Sequence, residues 1–266
     1  RMVSELQEKN QPYDIADIIN LIEKDEKSKK EDKDAVINRF LAASKWGLFE
    51  KYGTEIDELI KPGGVTVLDI SAYTEISGSW SIKALVIALV SRKLLLERIE
   101  QRKKEELSSM ESSGKFFVEE KELERPMVWL FLDEGHEYLP KVGETPATSA
   151  LIQLIREGRQ PGISLIIATQ QPGEIHRDVL TQSDIVLSHR LTAQVDIEAL
   201  NSMMQTYLLA DLQTYINNLP ALPGSAIILD DKAERIYPMR IHPKRSWHGG
   251  EAPSALKEKK KFELNL

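Results

Sequence analysis

The chain has no cysteine, which excludes a disulfide framework and a zinc-thiolate centre. Its five histidines show no metal-ligand spacing such as HExxH. No apolar run approaches membrane-spanning length, and the first residues carry no signal-peptide pattern. With no cysteine and abundant Lys and Glu, the expectation is a cytoplasmic protein with no membrane partner. Positive charge is in deficit too: 35 Lys and Arg against 42 Asp and Glu leave a net charge of −7. That balance argues against a broad nucleic-acid-binding face, although a small basic channel would not register in the sum. The phosphate-binding pattern GxxxxGK[ST] is also missing. Gly114-Lys115 imitates it, but Ser109 stands where the first Gly is required and Phe116 where Ser or Thr is required.

What is present describes a globular protein. The 266 residues are 41% hydrophobic and 29% charged, enough for one sizeable α/β domain or a domain with an appendage. The most informative stretch is Met127-Val128-Trp129-Leu130-Phe131-Leu132-Asp133-Glu134. Pro126 precedes it. An apolar run of this length predicts a strand buried on both faces, as in a parallel sheet covered by helices. Two carboxylates at its C-terminal end stand where open α/β sheets bind ligands. One carboxylate in such a place can hold Mg²⁺ through water, and its neighbour can orient a water for attack on phosphate; the alternative is a core strand that simply ends in a polar turn. A glycosidase pair fits less well, because adjacent strand residues point to opposite faces.

Residues 1–60 read as helical. Ile15, Ile18, Ile19 and Ile22 share a face, with Asp14 as the cap, and Ile37, Phe40, Leu41, Ser44 and Leu48 form a second set. Val65 to Ile70 predicts a strand. Ile82, Leu85, Val86, Leu89, Val90 and Leu94 predict a helix whose charged continuation, Glu97 to Glu106, projects into solvent. Residues 108–124 read as a flexible connection. Thr145-Pro146 signals the start of a helix carrying Leu151, Ile152, Leu154 and Ile155, and Ser164 to Ala168 reads as the next strand. Strand, helix and strand at this spacing predict a right-handed βαβ unit. A further strand over 185–188, helices near 195–204 and 208–217, and a hairpin made from 225–229 and 235–241 follow. The division expected is a helical cap over 1–60, a core over 61–242 and an arm over 243–266.

Several pieces in this order resemble the HerA/FtsK group of P-loop ATPases, most closely the archaeal HerA-like DNA translocases. They are Leu132-Asp133-Glu134-Gly135-His136 with Leu139-Pro140, Arg156-Glu157-Gly158-Arg159-Gln160, Ala168-Thr169-Gln170-Gln171-Pro172, Arg190-Leu191-Thr192, and Arg245-Ser246-Trp247-His248-Gly249-Gly250. The resemblance covers about residues 60–250. It implies an α/β, RecA-like P-loop NTPase core with a mainly parallel sheet, an N-terminal helical insertion and a C-terminal β-hairpin. It implies a hexameric ring that hydrolyses ATP with Mg²⁺ to move along double-stranded DNA, working with a NurA-like nuclease in end resection. By position, Asp133 would hold Mg²⁺ through water and Glu134 would activate the attacking water. Gln170 would sense the γ-phosphate, and Arg156 or Arg159 would reach a neighbouring subunit's site. Arg190 is a weaker candidate, and His136 either couples nucleotide state to motion or is a hydrogen-bonded loop histidine.

The missing phosphate loop is the departure from that group. With Arg1 rather than Met at the start, the expectation is a truncated chain whose loop lies upstream and which binds ATP weakly or not at all. The alternative is a non-catalytic RecA-like assembly domain that lost nucleotide binding. A DEAH-box helicase is a poorer fit, since no QxxGRxGR motif follows.

Overall fold

The computed structural model describes residues 2–8, 11–75, 79–112, 126–202 and 209–246. They fall into two compact units, one of Arg1–Ser183 with Thr192–Gln205, the other of Asp184–Leu191 with Thr206–Leu266. Gly114-Lys115, most of the expected connection over 108–124, and the end of the expected arm from Trp247 lie outside the described residues.

The first unit opens with helices α1 (Met2–Glu8), α2 (Ile15–Glu23), α3 (Lys30–Ser44) and α4 (Ile56–Leu59). Asp14 caps α2 as its sequence predicts. Its carboxylate accepts the Asp17 N–H at 3.0 Å while Asp17 accepts the Asp14 N–H at 3.1 Å, a reciprocal capping box. Ile15, Ile18 and Ile22 form the buried face of α2, and α3 packs on it with no fully buried side chain. Helix α5 then runs from Ser79 to Ser112, so residues 108–112, expected in a connection, continue the helix instead.

The buried face of α5 departs from the predicted stripe. Ile82, Val86 and Leu94 are buried as expected, but Leu89 is 48% exposed, and Ala84, Ile87, Ser91 and Leu95 complete the buried face. The charged end does not simply project into solvent. Arg98 and Gln101 are buried; Arg98 Nε donates to the carbonyl of Pro161 at 2.8 Å, and its Nη1 lies 3.6 Å from Glu105 Oε1. The bond to Pro161 satisfies the turn that leads into the next strand, and the Arg stem packs as apolar surface.

Strand β1 (Val128–Leu132), helix α6 (Thr148–Glu157) and strand β2 (Ile163–Ile167) follow. The two strands pair in parallel with Val128 opposite Ile163 and Leu132 opposite Ile167, so the predicted β-helix-β connection is present. Helix α6 packs against α5, and Leu132, Leu139, Leu151, Leu154 and Ile163 form the core with Ile87, Leu94 and Leu95. The start of α6 is two residues later than Thr145-Pro146 suggests. Thr145 Oγ1 accepts the Ala147 N–H at 3.1 Å, and the helix proper begins at Thr148. Helices α7 (Arg177–Gln182) and α8 (Gln194–Ser202) complete the described part of this unit.

Two strand expectations fail in this unit. Strand β1 is not buried on both faces: Trp129 is 64% and Phe131 68% exposed. Alternate residues face opposite sides, and the buried cluster gathers on the side of Leu132. Val65 to Ile70 forms no strand, and Val65 and Val67 are 92% and 83% exposed. A β-branched run fits a pleated surface only where a neighbour offers ladder hydrogen bonds, and no described strand lies beside this one.

The second unit contains β3 (Ile185–His189), helix α9 (Leu209–Asn218), β4 (Ser225–Asp230) and β5 (Arg235–Arg240). The predicted hairpin of β4 and β5 is present, with Ser225 opposite Arg240 and Asp230 opposite Arg235. Strand β3 joins β4 antiparallel, so the parallel pairing of the α/β fold lies in β1 and β2, and the C-terminal sheet is antiparallel. Ala226, Ile227 and Leu229 on the central strand β4 are buried. Among the described residues no helix is long and apolar enough to cross a membrane.

Candidate functional site

The site is built where the parallel strands β1 and β2 end. Strand β1 finishes in Leu132, whose carbonyl accepts the Ala168 N–H at 2.9 Å, and the Gly135 N–H returns to the Ala168 carbonyl at 2.8 Å. These bonds hold the two loops together one step beyond the ladder. Gly135 is required by the close approach: a Cβ there would lie 2.2 Å from Ile167 Cγ2. Further along, the Lys141 N–H donates to the Glu174 carbonyl and the His176 N–H to the Leu139 carbonyl, both at 2.7 Å. Gly173 N–H is held at 2.9 Å by Asp196 of α8. Buried Thr145 and Thr148 both donate their hydroxyls to the Tyr138 carbonyl, at 2.9 and 3.0 Å. The loops are therefore tied into a frame. Burial pushes the Tyr138 phenol above its ordinary value, with the charge of Glu137 adding to the shift.

The acidic pair sits on this frame. Asp133 is exposed, and one of its oxygens accepts the Glu134 N–H at 3.0 Å. Glu134 adopts the left-handed conformation, φ 47° and ψ 48°. A residue with a Cβ pays on the order of 1–3 kcal/mol there, so the loop frame imposes this backbone against local preference. The strained turn swings the Glu134 side chain towards the end of β2. There Gln170 Nε2 donates to Glu134 Oε1 at 2.5 Å. His136 Nδ1 lies 3.5 Å from Glu134 Oε2 and 2.9 Å from Thr169 Oγ1.

Asp133, Glu134 and Gln170 are thus brought to one place. The arginines are not. Arg156, in the last turn of α6, is bound to Asp178 of α7 at 2.6 Å. Arg159 is exposed just beyond α6, and its side chain has no hydrogen bond or ion pair among the described residues. Arg190 is exposed and belongs to the second unit. Thr169 was not singled out from the sequence. The available signal was position: it is the first polar side chain after the apolar run of β2, in step with the carboxylates after β1.

No group of three or more carboxylate or imidazole ligands occurs among the described residues. The donor set suits Mg²⁺ held in the manner of phosphoryl-transfer sites. One exposed carboxylate, Asp133, keeps an oxygen beyond the one bound to the Glu134 N–H, and Mg²⁺ in such sites takes its remaining ligands from water and phosphates. For ATP the fit is partial, because the phosphate-cradling pattern GxxxxGK[ST] does not occur in these 266 residues.

By sequence similarity the chain is a distant relative of the HerA/FtsK-type P-loop ATPases. The DNA double-strand break repair helicase HerA of Sulfurisphaera tokodaii is 25% identical over 260 residues, 93% of this chain and 46% of that protein. The helicase of the same name from Pyrococcus furiosus is 23% identical over 218 residues, 78% of this chain and 39% of that protein. A probable HerA helicase of Methanocaldococcus jannaschii is 25% identical over 169 residues, 57% of this chain and 33% of that protein. The chain spans less than half the length of these curated relatives. No family model matches it. Among solved structures, it is similar over part of its length to the genome packaging NTPase B204 of Sulfolobus turreted icosahedral virus 2 in complex with AMP, with 18% identity, a TM-score of 0.37, and coverage of 44% of this chain and 54% of that one.

Proposed function

We propose that this chain is part of an ATP-driven double-stranded DNA translocase or helicase of the HerA type, acting in DNA end resection and repair. In this reading residues 1–60 are a helical insertion, 61–242 carry the RecA-like core and 243–266 form an arm. The full-length protein assembles as a hexameric ring, hydrolyses ATP with Mg²⁺ and works with a NurA-like nuclease. The single observation that supports it is the hydrogen bond from Gln170 to Glu134. It brings the polar residue after β2 onto the carboxylate after β1, at the C-terminal edge where parallel sheets bind ligands.

The chemistry assigned to each side chain follows from where it stands. Bound Mg²⁺ would supply charge neutralisation on the phosphate oxygens. Asp133 would hold it through water with the carboxylate oxygen not engaged by the Glu134 N–H. Glu134 would orient the attacking water and take its proton on a carboxylate oxygen. Gln170, whose amide now rests on Glu134, would turn towards the γ-phosphate. An arginine beyond α6 would neutralise charge that builds on the phosphoryl oxygens in a neighbouring subunit's site.

The test is Glu134→Gln in the full-length protein. The amide keeps the shape and loses the base, so ATP binding is retained and phosphate release is abolished. Phosphate release at the parent rate would remove Glu134 from the assigned role. The same reading gives this chain on its own, without the phosphate-cradling loop, weak or no affinity for ATP. Sub-micromolar Mg²⁺-dependent binding of a fluorescent ATP analogue would contradict it.

A further inference from the structure

We infer that His136 and Thr169 form a positioning pair that holds the Glu134 carboxylate, with His136 donating from Nδ1; the inference rests on the reading of Glu134 as the water-activating base. The starting point is an oxygen without a donor. Glu134 Oε1 is occupied by Gln170 Nε2, whereas Oε2 is buried and accepts no hydrogen bond. Buried carboxylate oxygens left in that state are rare, and each asks for a reason. His136 Nδ1 stands 3.5 Å from this oxygen, slightly too far for a full hydrogen bond and close enough to become one with a small ring rotation.

The same nitrogen lies 2.9 Å from Thr169 Oγ1, and this contact identifies the tautomer. Thr169 Oγ1 already accepts the Gln171 N–H at 3.0 Å and retains one lone pair and one proton. Were the hydroxyl the donor, Nδ1 would present a lone pair both to it and, 3.5 Å away, to the carboxylate oxygen that lacks a donor. That leaves two acceptors facing each other in a partly buried place. With the proton on Nδ1, a single N–H lies between Thr169 Oγ1 and Glu134 Oε2 and is favourable to both. The Nδ1–H form is therefore the consistent one, and the Thr169 proton stays available for a further acceptor.

The backbone keeps this arrangement in place. Glu134 is in the left-handed conformation, and the next residue is tied to Ala168 through the Gly135 N–H. Thr169 follows Ala168 directly. His136 and Thr169 are thus one residue removed from a fixed hydrogen bond, one on each loop. The consequence is functional. When Gln170 leaves Oε1 to engage another group, the Nδ1–H, 3.5 Å from Oε2, is placed to close onto that oxygen and hold Glu134 from the other side. Without it, nothing among the described residues retains the carboxylate in its strained turn.

Two measurements test the pair. On this chain, ¹⁵N imidazole spectra of the neutral ring are expected to show His136 as the Nδ1–H tautomer; the Nε2–H tautomer would overturn the inference. In the full-length protein, His136→Ala is expected to lower kcat about tenfold or more, through loss of alignment, with the KM for ATP little changed. His136→Asn places an amide N–H where Nδ1–H stood and is expected to recover most of that loss. A parent kcat in His136→Ala, or equal losses in the Ala and Asn variants, would overturn the positioning role. The underlying reading fails separately: if Glu134→Gln still turns over, the base assignment falls, and the tautomer alone then decides whether the pair exists.

Discussion

Arg156 binds Asp178 through both Nε and Nη2, at 2.8 and 2.6 Å, and so pins the last turn of α6 to the first turn of α7. The same carboxyl residue has its backbone N–H on His176 Nδ1 at 3.1 Å. Arg156 therefore has a partner within its own chain, while the Arg159 side chain has none among the described residues. The two candidates for an arginine acting between subunits separate on that ground. Arg156→Ala is expected to lower stability by about 1 kcal/mol or less, since its guanidinium is largely exposed and screened. Arg159→Ala is expected to leave the melting temperature unchanged and to reduce ATP hydrolysis by the full-length protein on the order of a thousandfold or more, in the range of arginines acting in trans. Thermal melts and phosphate release measured on both variants check this. Parent activity in Arg159→Ala would return the role to Arg156 or remove it.

The packing of α6 on α5 makes a second prediction. Leu151 is fully buried among Leu132, Leu139 and the apolar face of α5. Leu151→Ala leaves a cavity in addition to losing transfer free energy, at a cost of about 2–5 kcal/mol. Leu89, on the helical stripe read from the sequence, is 48% exposed. Leu89→Ala is expected to change stability by less than about 0.5 kcal/mol, as for ordinary surface positions. Urea unfolding of the two variants distinguishes the buried face seen in the structure from the one the periodicity suggests. Equal losses would refute it.

That pair also shows what is legible in such a sequence. A period of 3.6 locates a helix but not the edges of its buried face, because those depend on what lies against it. Arg98 is the sharper case. Charge at position 98 reads as solvent-facing, yet the Pro161 carbonyl, 63 residues away in the chain, takes its Nε and the Glu105 carboxylate lies 3.6 Å from its Nη1, so the guanidinium is held inside. The strand ends were readable for the opposite reason. Parallel strands put their C-terminal ends on one edge, so apolar runs ending in Asp133-Glu134 and in Thr169-Gln170 had to bring those residues close once β1 and β2 paired. Val65 to Ile70 misled because composition reports suitability for a sheet, whereas a strand also needs a neighbour. The pairing of β3 with β4 was likewise invisible, since short apolar strands carry no mark of their partner's direction.

The N-terminal helices carry a pH dependence. The Asp17 carboxyl is held below its ordinary value, first by the Asp14 N–H and then by Lys51, whose Nζ lies 3.1 Å away. A carboxyl depressed in the folded state stabilises it above the unfolded value, and that contribution is lost as pH falls through the lower folded value. The cap of α2 is therefore intact at neutral pH and is expected to loosen below the ordinary carboxyl value of 3.8. Lys51, raised by the same partner, is lost only above its ordinary 10.5. Amide exchange at Asp14 and Asp17 across the acid range measures the first effect. Asp17→Asn removes the titration while leaving an acceptor for the Asp14 N–H, so an unchanged acid transition in that variant would show that Asp17 is not its source.

Gln170 offers the most direct probe of the site itself. Its amide nitrogen faces an acceptor-only carboxylate, and Gln170→Glu replaces that donor with a second negative charge at hydrogen-bond distance from Glu134 Oε1. Like charges this close repel, and part of that repulsion loads the two loops that carry them. The Gly135 N–H bond to Ala168, which closes the loop frame at 2.8 Å, is then the one that weakens. Its exchange protection is expected to fall about tenfold or more in Gln170→Glu, for a repulsion on the order of 1–4 kcal/mol between nearby unit charges. Gln170→Ala, which removes the donor without adding charge, is expected to lower it far less. Hydrogen–deuterium exchange followed at the Gly135 amide reads both. If the Glu variant protects that amide as well as the parent does, Gln170 and Glu134 are not in contact in solution, and the meeting of the two strand ends at this point loses its main support.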